Sequence, residues 1–116
     1  MVMIMVVMNV YVTYRGRRYM VKALLTKRIW FNAISQSLFQ RLFGSTWLRV
    51  KKPLVFYRGD EKIEVDKYAD VTVEIGKLMI KAHLLIDDRL MGYTMEECDM
   101  IIGRETLEKN KIQVFE

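Results

Sequence analysis

Between Ala23 and Ser35 an apolar strand breaks off into three polar residues and then resumes as the approach to a helix. Ala23-Leu24-Leu25 ends the strand, Thr26-Lys27-Arg28 interrupts it, and Asn32-Ala33-Ile34-Ser35 leads into the helix. The rest of the chain must supply neighbours for both apolar flanks and a place for the polar triplet. On either side of this segment the chain is mostly strand.

Val10, Val12 and Tyr14 alternate with Tyr11 and Thr13, the period-2 pattern of a half-buried strand. Arg15 to Arg18 makes a turn at Gly16, and Tyr19 to Leu25 returns as the second strand. Ser35 is the expected N-cap of a helix through Leu42, with Leu38, Phe39 and Leu42 on one face and Gly44 as its stop. Trp47 to Tyr57 reads as extended, interrupted by Pro53. Val55 to Ile63 forms a hairpin whose tip is Gly59-Asp60. Val71, Val73 and Ile75 mark a further amphipathic strand, turned at Gly76. Leu78, Ile80, Ala82, Leu84 and Ile86 then give an inner face, with Lys81 and His83 outward. Asp87 to Glu97 reads as a polar loop. The chain closes with the apolar run at Ile101-Ile102, a short helix over Glu105–Asn110 and a last strand over Ile112–Phe115.

Two of these segments resemble the retropepsin-like aspartic proteases, the family of the retroviral proteases. The active-site segment of that family runs Ala-Leu-Ile-Asp-Ser/Thr-Gly-Ala-x-x-Asn-x-Ile-Ser, and Ala23 to Ser35 matches its register without a gap. Ile101-Ile102-Gly103-Arg104 with Leu107 is similar to the family's C-terminal signature. Gly103 would let the backbone pass close beneath the central loop. The resemblance implies an all-β fold, a retropepsin-like acid-protease barrel with one or two short helices, as a single domain over residues 1–116. It also implies a homodimer, and makes the hairpin around Arg58, Gly59 and Asp60 the flap that closes over substrate. The family's catalytic aspartate, its Ser/Thr and its glycine fall at Thr26, Lys27 and Arg28. A threonine hydroxyl does not titrate near neutral pH and cannot act as the general base of a shared-proton carboxylate pair. Lys27 cannot accept the hydrogen bond made by the Ser/Thr, and Arg28 crowds the approach that glycine leaves open. The nearest carboxylate in sequence is Asp60.

Charge is divided along the chain. Of 19 basic residues, eleven lie between Arg15 and Arg58, a stretch without a single carboxylate, and all 14 acids follow from Asp60 onward. Such a division marks either an anion-binding surface or two halves interleaved in one barrel. Cys98 is the one cysteine, so no intrachain disulfide can form and a reducing cytoplasm is the expected compartment. The apolar opening from Met1 reads as a first strand, too short for the roughly 20 residues of a membrane helix. His83 and Cys98 have no metal-ligand spacing around them, and there is no Gly-rich phosphate loop; neither a metal nor a cofactor is expected.

The first functional expectation is a catalytically inactive domain that dimerises or binds a peptide or protein, with Lys27, Arg28, Trp30, Arg58, Gly59 and Asp60 as candidate binding residues. The second is a nucleic-acid or polyanion binder using the basic N-terminal half. The third is an active peptidase with a non-standard site. Trp30 and Phe31 read as core or dimer contacts ahead of a ligand platform.

Overall fold

The computed structural model describes residues 6–115; Met1 to Met5 of the expected first strand lie outside them. β1 (Val6–Tyr14) and β2 (Arg17–Leu25) form an antiparallel hairpin in continuous register from Val6↔Leu25 to Tyr14↔Arg17. Its two-residue turn puts both Arg15 (φ 50°) and Gly16 (φ 78°) in the left-handed region, as a turn matched to strand twist requires. β3 (Asn32–Ile34), α1 (Gln36–Phe43), β4 (Leu48–Arg58), β5 (Glu61–Ile75), β6 (Leu78–Ile86), β7 (Met100–Ile102) and α2 (Arg104–Lys109) follow.

The sheet runs β1-β2-β7-β3-β6-β5-β4, and β1 also pairs with β5. That extra pairing, centred on Val12↔Val73, closes six strands into a barrel and leaves β4 outside as a free edge. At the centre, β2 lies parallel to β7 and β3 parallel to β6, with β7 and β3 antiparallel between them. The chain therefore leaves β2 at Leu25 and re-enters the same sheet, two places along, at Asn32.

Continuous apolar runs belong to strands buried on both faces. Ile102, Leu84 and Ile34 point into the barrel core with Val12, Val73 and Phe39, whereas their neighbours Ile101, Leu85 and Ala33 point into a second core with Phe31, Phe56 and Leu90. β5 is long enough to serve both, giving Ile63 and Val65 to one and Ala69, Val71 and Val73 to the other. α1 is too short to hold its shape alone. Burial of Phe39 and Phe43 against Tyr14 and Tyr19, with ring centroids 5.1–5.6 Å apart, fixes it on the barrel.

Ser35 caps α1 as expected, accepting the Leu38 N–H at 3.2 Å, and Gly44 ends it with φ 74°. Pro53 falls where the β4–β5 register shifts, between Arg49 and Leu54. Three expectations are corrected. The Asp87–Glu97 loop contains a 3-10 helical turn over Asp88–Tyr93, because Asp87 caps it at the Arg89 N–H and Leu90 is wholly buried. Leu78 does not join the inner face of β6; it sits exposed at the Gly76 turn, beyond the reach of the core. Ile112–Phe115 is not a strand. Lys111, at φ 56°, ends α2, and Val114 packs on the core with no strand among the described residues to bond the backbone.

Candidate functional site

Thr26 is the first residue past β2. Its backbone N–H donates to the Ile102 carbonyl at 3.1 Å, extending the β2–β7 ladder by one bond, and the residue is fully buried. The hydroxyl accepts the Arg28 N–H at 3.1 Å, a local turn of the kind Ser and Thr favour. Residues 26–31 form the central loop, and α2 holds it from below. The N–H groups of Arg104 and Glu105, which lack partners inside their own helix, donate to the carbonyls of Ile29 (2.7 Å) and Trp30 (3.2 Å). Asn32 ties the same elements from the side chain. Its Oδ1 accepts the Gly103 N–H at 2.9 Å, and its Nδ2 donates to the Thr106 hydroxyl at 2.6 Å and the His83 carbonyl at 3.1 Å. All three hydrogen-bonding positions of a buried amide are thereby used. Gly103 passes so close beneath the loop that a Cβ there would collide with the carbonyl oxygens of Phe31 and Ile29.

Above the loop sits the β4–β5 hairpin. Trp30 stacks on Phe56, with centroids 5.6 Å apart and planes at 17°, while Phe31 meets Phe56 and Tyr93 edge-on at 5.0 and 5.4 Å. The Tyr93 hydroxyl donates to the Tyr57 carbonyl at 2.7 Å, pinning the hairpin stem to the 3-10 turn. Between loop and stem is a cleft of about 270 Å³ lined by Arg28, Ile29, Trp30, Phe31, Val55, Phe56, Tyr57 and Tyr93. Trp30 is 45% exposed and Tyr57 66%, so the cleft offers aromatic surface to solvent beside an exposed guanidinium at Arg28. Among the described residues, no carboxylate lines it.

Of the candidate binding residues, Arg28 and Trp30 meet in this cleft. Lys27 lies half-buried in the loop between them and Thr26. Arg58 turns away from the cleft; its guanidinium covers Gly92 and pairs with Glu61 at 3.5 Å. Gly59 (φ 62°) and Asp60 form the exposed hairpin tip and are not among the lining residues. Ile101 and Ile102 are wholly buried, Gly103 is buried, and Arg104 is exposed at the start of α2. Val55, Tyr57 and Tyr93 are cleft walls that the sequence did not single out. The signal for Tyr57 was alternation about the buried Phe56; Tyr93 lay in a stretch with no periodicity.

The division of charge along the sequence is partly folded away. Arg18 on β2 reaches past β1 to pair with Glu74 on β5 at 2.7 Å, and Arg49 pairs with Asp66 at 2.8 Å between the neighbouring strands β4 and β5; each joins opposite halves of the chain. Lys51 and Lys52 remain exposed on β4. Cys98 is half-buried, and burial pushes its thiol pKa up, with the Asp99 charge adding to the effect. It stays protonated at neutral pH and is a poor nucleophile. Among the described residues no three His, Cys, Asp or Glu side chains group as a metal site, and no helix is long and apolar enough to cross a membrane.

No family model matches the sequence, and no curated protein matches it. Its backbone does have a counterpart among solved structures. EIAV protease, in complex with the inhibitor HBY-793, superposes with a TM-score of 0.64 over 95% of this chain and 91% of that one, at 15% identity. The chain has the retropepsin-like fold. The all-β barrel with two short helices expected from the two matched segments is the one observed. At that identity the likeness extends to the fold alone, so the properties of the cleft rest on this chain's own residues.

Proposed function

We propose that this protein is a non-catalytic retropepsin-like module that binds an extended acidic peptide segment in the cleft beneath its β4–β5 hairpin and assembles as a homodimer. One observation carries the reading. At the residue after β2, where the resemblance puts the catalytic aspartate, stands Thr26, buried and with its hydroxyl occupied by the Arg28 N–H. General acid–base chemistry needs a titratable group within hydrogen-bond reach of the substrate, and among the described residues the cleft offers none of the carboxylate kind. It offers instead a cation, an indole and a tyrosine, groups suited to holding a chain with acidic side chains by charge, stacking and apolar contact.

The dimer is supported by the end of the chain. Ile112 and Val114 face the core while Gln113 and Phe115 face outward, a strand's alternation with no strand beside it among the described residues. A second copy can supply that neighbour.

Fluorescence anisotropy with a labelled acidic peptide and a single-stranded oligonucleotide tests the binding. The peptide is expected to bind with shallow salt dependence, and Lys27→Glu with Arg28→Glu to weaken it by about tenfold or more. An oligonucleotide bound more tightly than the peptide, with affinity falling steeply as salt rises, would favour the polyanion reading. Peptide binding indifferent to the double substitution would refute the cleft as its site.

A further inference from the structure

Trp30 and Phe31 wall not only the cleft but also a second hollow, of about 150 Å³, with Lys81, His83, Glu105, Thr106 and Lys109 around it. Its floor is buried and its rim is exposed and charged. On the floor, the Thr106 hydroxyl accepts from Asn32 at 2.6 Å, and its own O–H donates to no acceptor among the described residues. On the rim, Lys81 and Lys109 enter no ion pair among the described residues. His83 is anchored through Nδ1 to Asp70 at 2.8 Å and lies against Tyr68, so its ring is held in place. Among the described residues Glu105 is the one acid of the rim, set against two lysines.

Size decides what class of ligand suits the hollow. Pockets that enclose a whole small molecule run to about 300 Å³ and more, twice what is present. At roughly 30 Å³ per water, the volume suits a single anionic head group carried on a larger chain. Exposed lysines are ordinarily solvated without function. Here two of them converge with an unspent hydroxyl donor and an indole face on one concavity.

We propose that this hollow is a recognition subsite for one acidic side chain, carboxylate or phosphorylated, of the peptide whose adjoining segment lies in the cleft across Trp30. The proposal rests on the peptide-binding reading above. Lys81 and Lys109 supply charge, Thr106 a hydrogen bond to the anionic oxygen, and Trp30 a wall common to both sites. Glu105 opposes the anion, so its carboxylate weakens the binding it borders.

Trp30 and Trp47 are the two tryptophans of the chain, and Trp47→Phe leaves Trp30 as the sole reporter. In that background, end-blocked extended peptides differing only in a central Glu, phosphoserine or Gln are titrated while indole emission is followed, alongside inorganic phosphate. The acidic peptides are expected to bind at least about tenfold tighter than the Gln peptide. Lys81→Ala with Lys109→Ala should erase that preference without weakening the Gln peptide, and Glu105→Gln should enlarge it. The tighter of the Glu and phosphoserine peptides identifies the source of the anion. Equal affinity for acidic and Gln peptides, or a preference that survives loss of both lysines, overturns the subsite. If peptides bind without preference yet are lost on Lys27→Glu with Arg28→Glu, the cleft stands and the subsite falls. If no peptide binds, the reading of the cleft fails. A phosphate response of Trp30 abolished by the double lysine substitution then still supports the subsite, and silence toward phosphate refutes it.

Discussion

Gly103 and Asn32 are the two residues on which the central loop depends, and they act for different reasons. A methyl group at Gly103 would sit 2.5 Å from the Ile29 carbonyl oxygen and closer still to that of Phe31. These are backbone atoms of a loop already bonded to α2, so they cannot give way cheaply. Gly103→Ala is expected to destabilise by about 3 kcal/mol or more, at the upper end of overpacking costs. Gly76→Ala, at φ 60° but with open space around its Cβ, should cost only about 1 kcal/mol. Asn32→Ala strips the Gly103 N–H of its acceptor and leaves a polar cavity, for a loss of about 2–3 kcal/mol. Urea titrations of the three variants check the order; a Gly103→Ala protein as stable as Gly76→Ala would mean the loop is not held as described. The role of Gly103 was legible, since a glycine flanked by a buried pair announces close backbone passage. The threefold bonding of Asn32 was not, because its partners lie 51 to 74 residues away.

Strands that are buried on one face declare themselves by alternation, as β1 and the second half of β5 do. Those buried on both faces declare only that they are apolar, which is why the alternation places Leu84 and Ile86 correctly but gives no sign of Leu85 and the second core. β4 is the harder case. It is a free edge, exposed over nearly all its length, and only Phe56 is buried. Its position over the central loop comes from a few contacts at the stem: the Trp30–Phe56 stack and the Tyr93–Tyr57 hydrogen bond. Phe56→Ala is expected to cost about 3–5 kcal/mol, whereas Tyr93→Phe should cost about 1 kcal/mol globally yet release the stem. Hydrogen exchange separates the two effects. In Tyr93→Phe the β4–β5 amides should exchange faster while the β1–β2 amides keep their protection. Uniform acceleration across the barrel would show that the hairpin is not an independently opening unit. The tail over Ile112–Phe115 is not a strand for a related reason: its alternation is real, but a strand needs a neighbour and none pairs with it among the described residues.

Taken whole, the molecule has the retropepsin-like fold, with Thr26, Lys27 and Arg28 in its central loop. A dimer that brought two central loops together on a two-fold axis would face Lys27 and Arg28 with their own copies. Like charges about 4 Å apart, at an effective dielectric near 20, repel by about 4 kcal/mol per pair. Contacts drawn from the chain ends avoid that cost, so the expected assembly is a dimer at both low and high salt that dissociates when residues 112–116 are removed. Sedimentation velocity checks it, and a monomer at every salt concentration refutes it. The fold could be read from two short segments because their spacing of apolar residues and glycine is a packing requirement. The cleft could be read only in part, because Val55 and Tyr57 reach it on a hairpin held over the loop by the Trp30–Phe56 stack, and Tyr93 from a 3-10 turn that packs there through tertiary contacts. The central claim is that the frame persists without the hydrolytic chemistry, and a peptide-library digest followed by mass spectrometry tests it most directly. At acid and at neutral pH the purified protein should cleave no peptide bond, and Thr26→Asp should not restore cleavage, because Lys27 and Arg28 still flank the position. Cleavage by the unaltered protein that disappears on changing an acid of this chain, such as Asp60→Asn, would contradict the account.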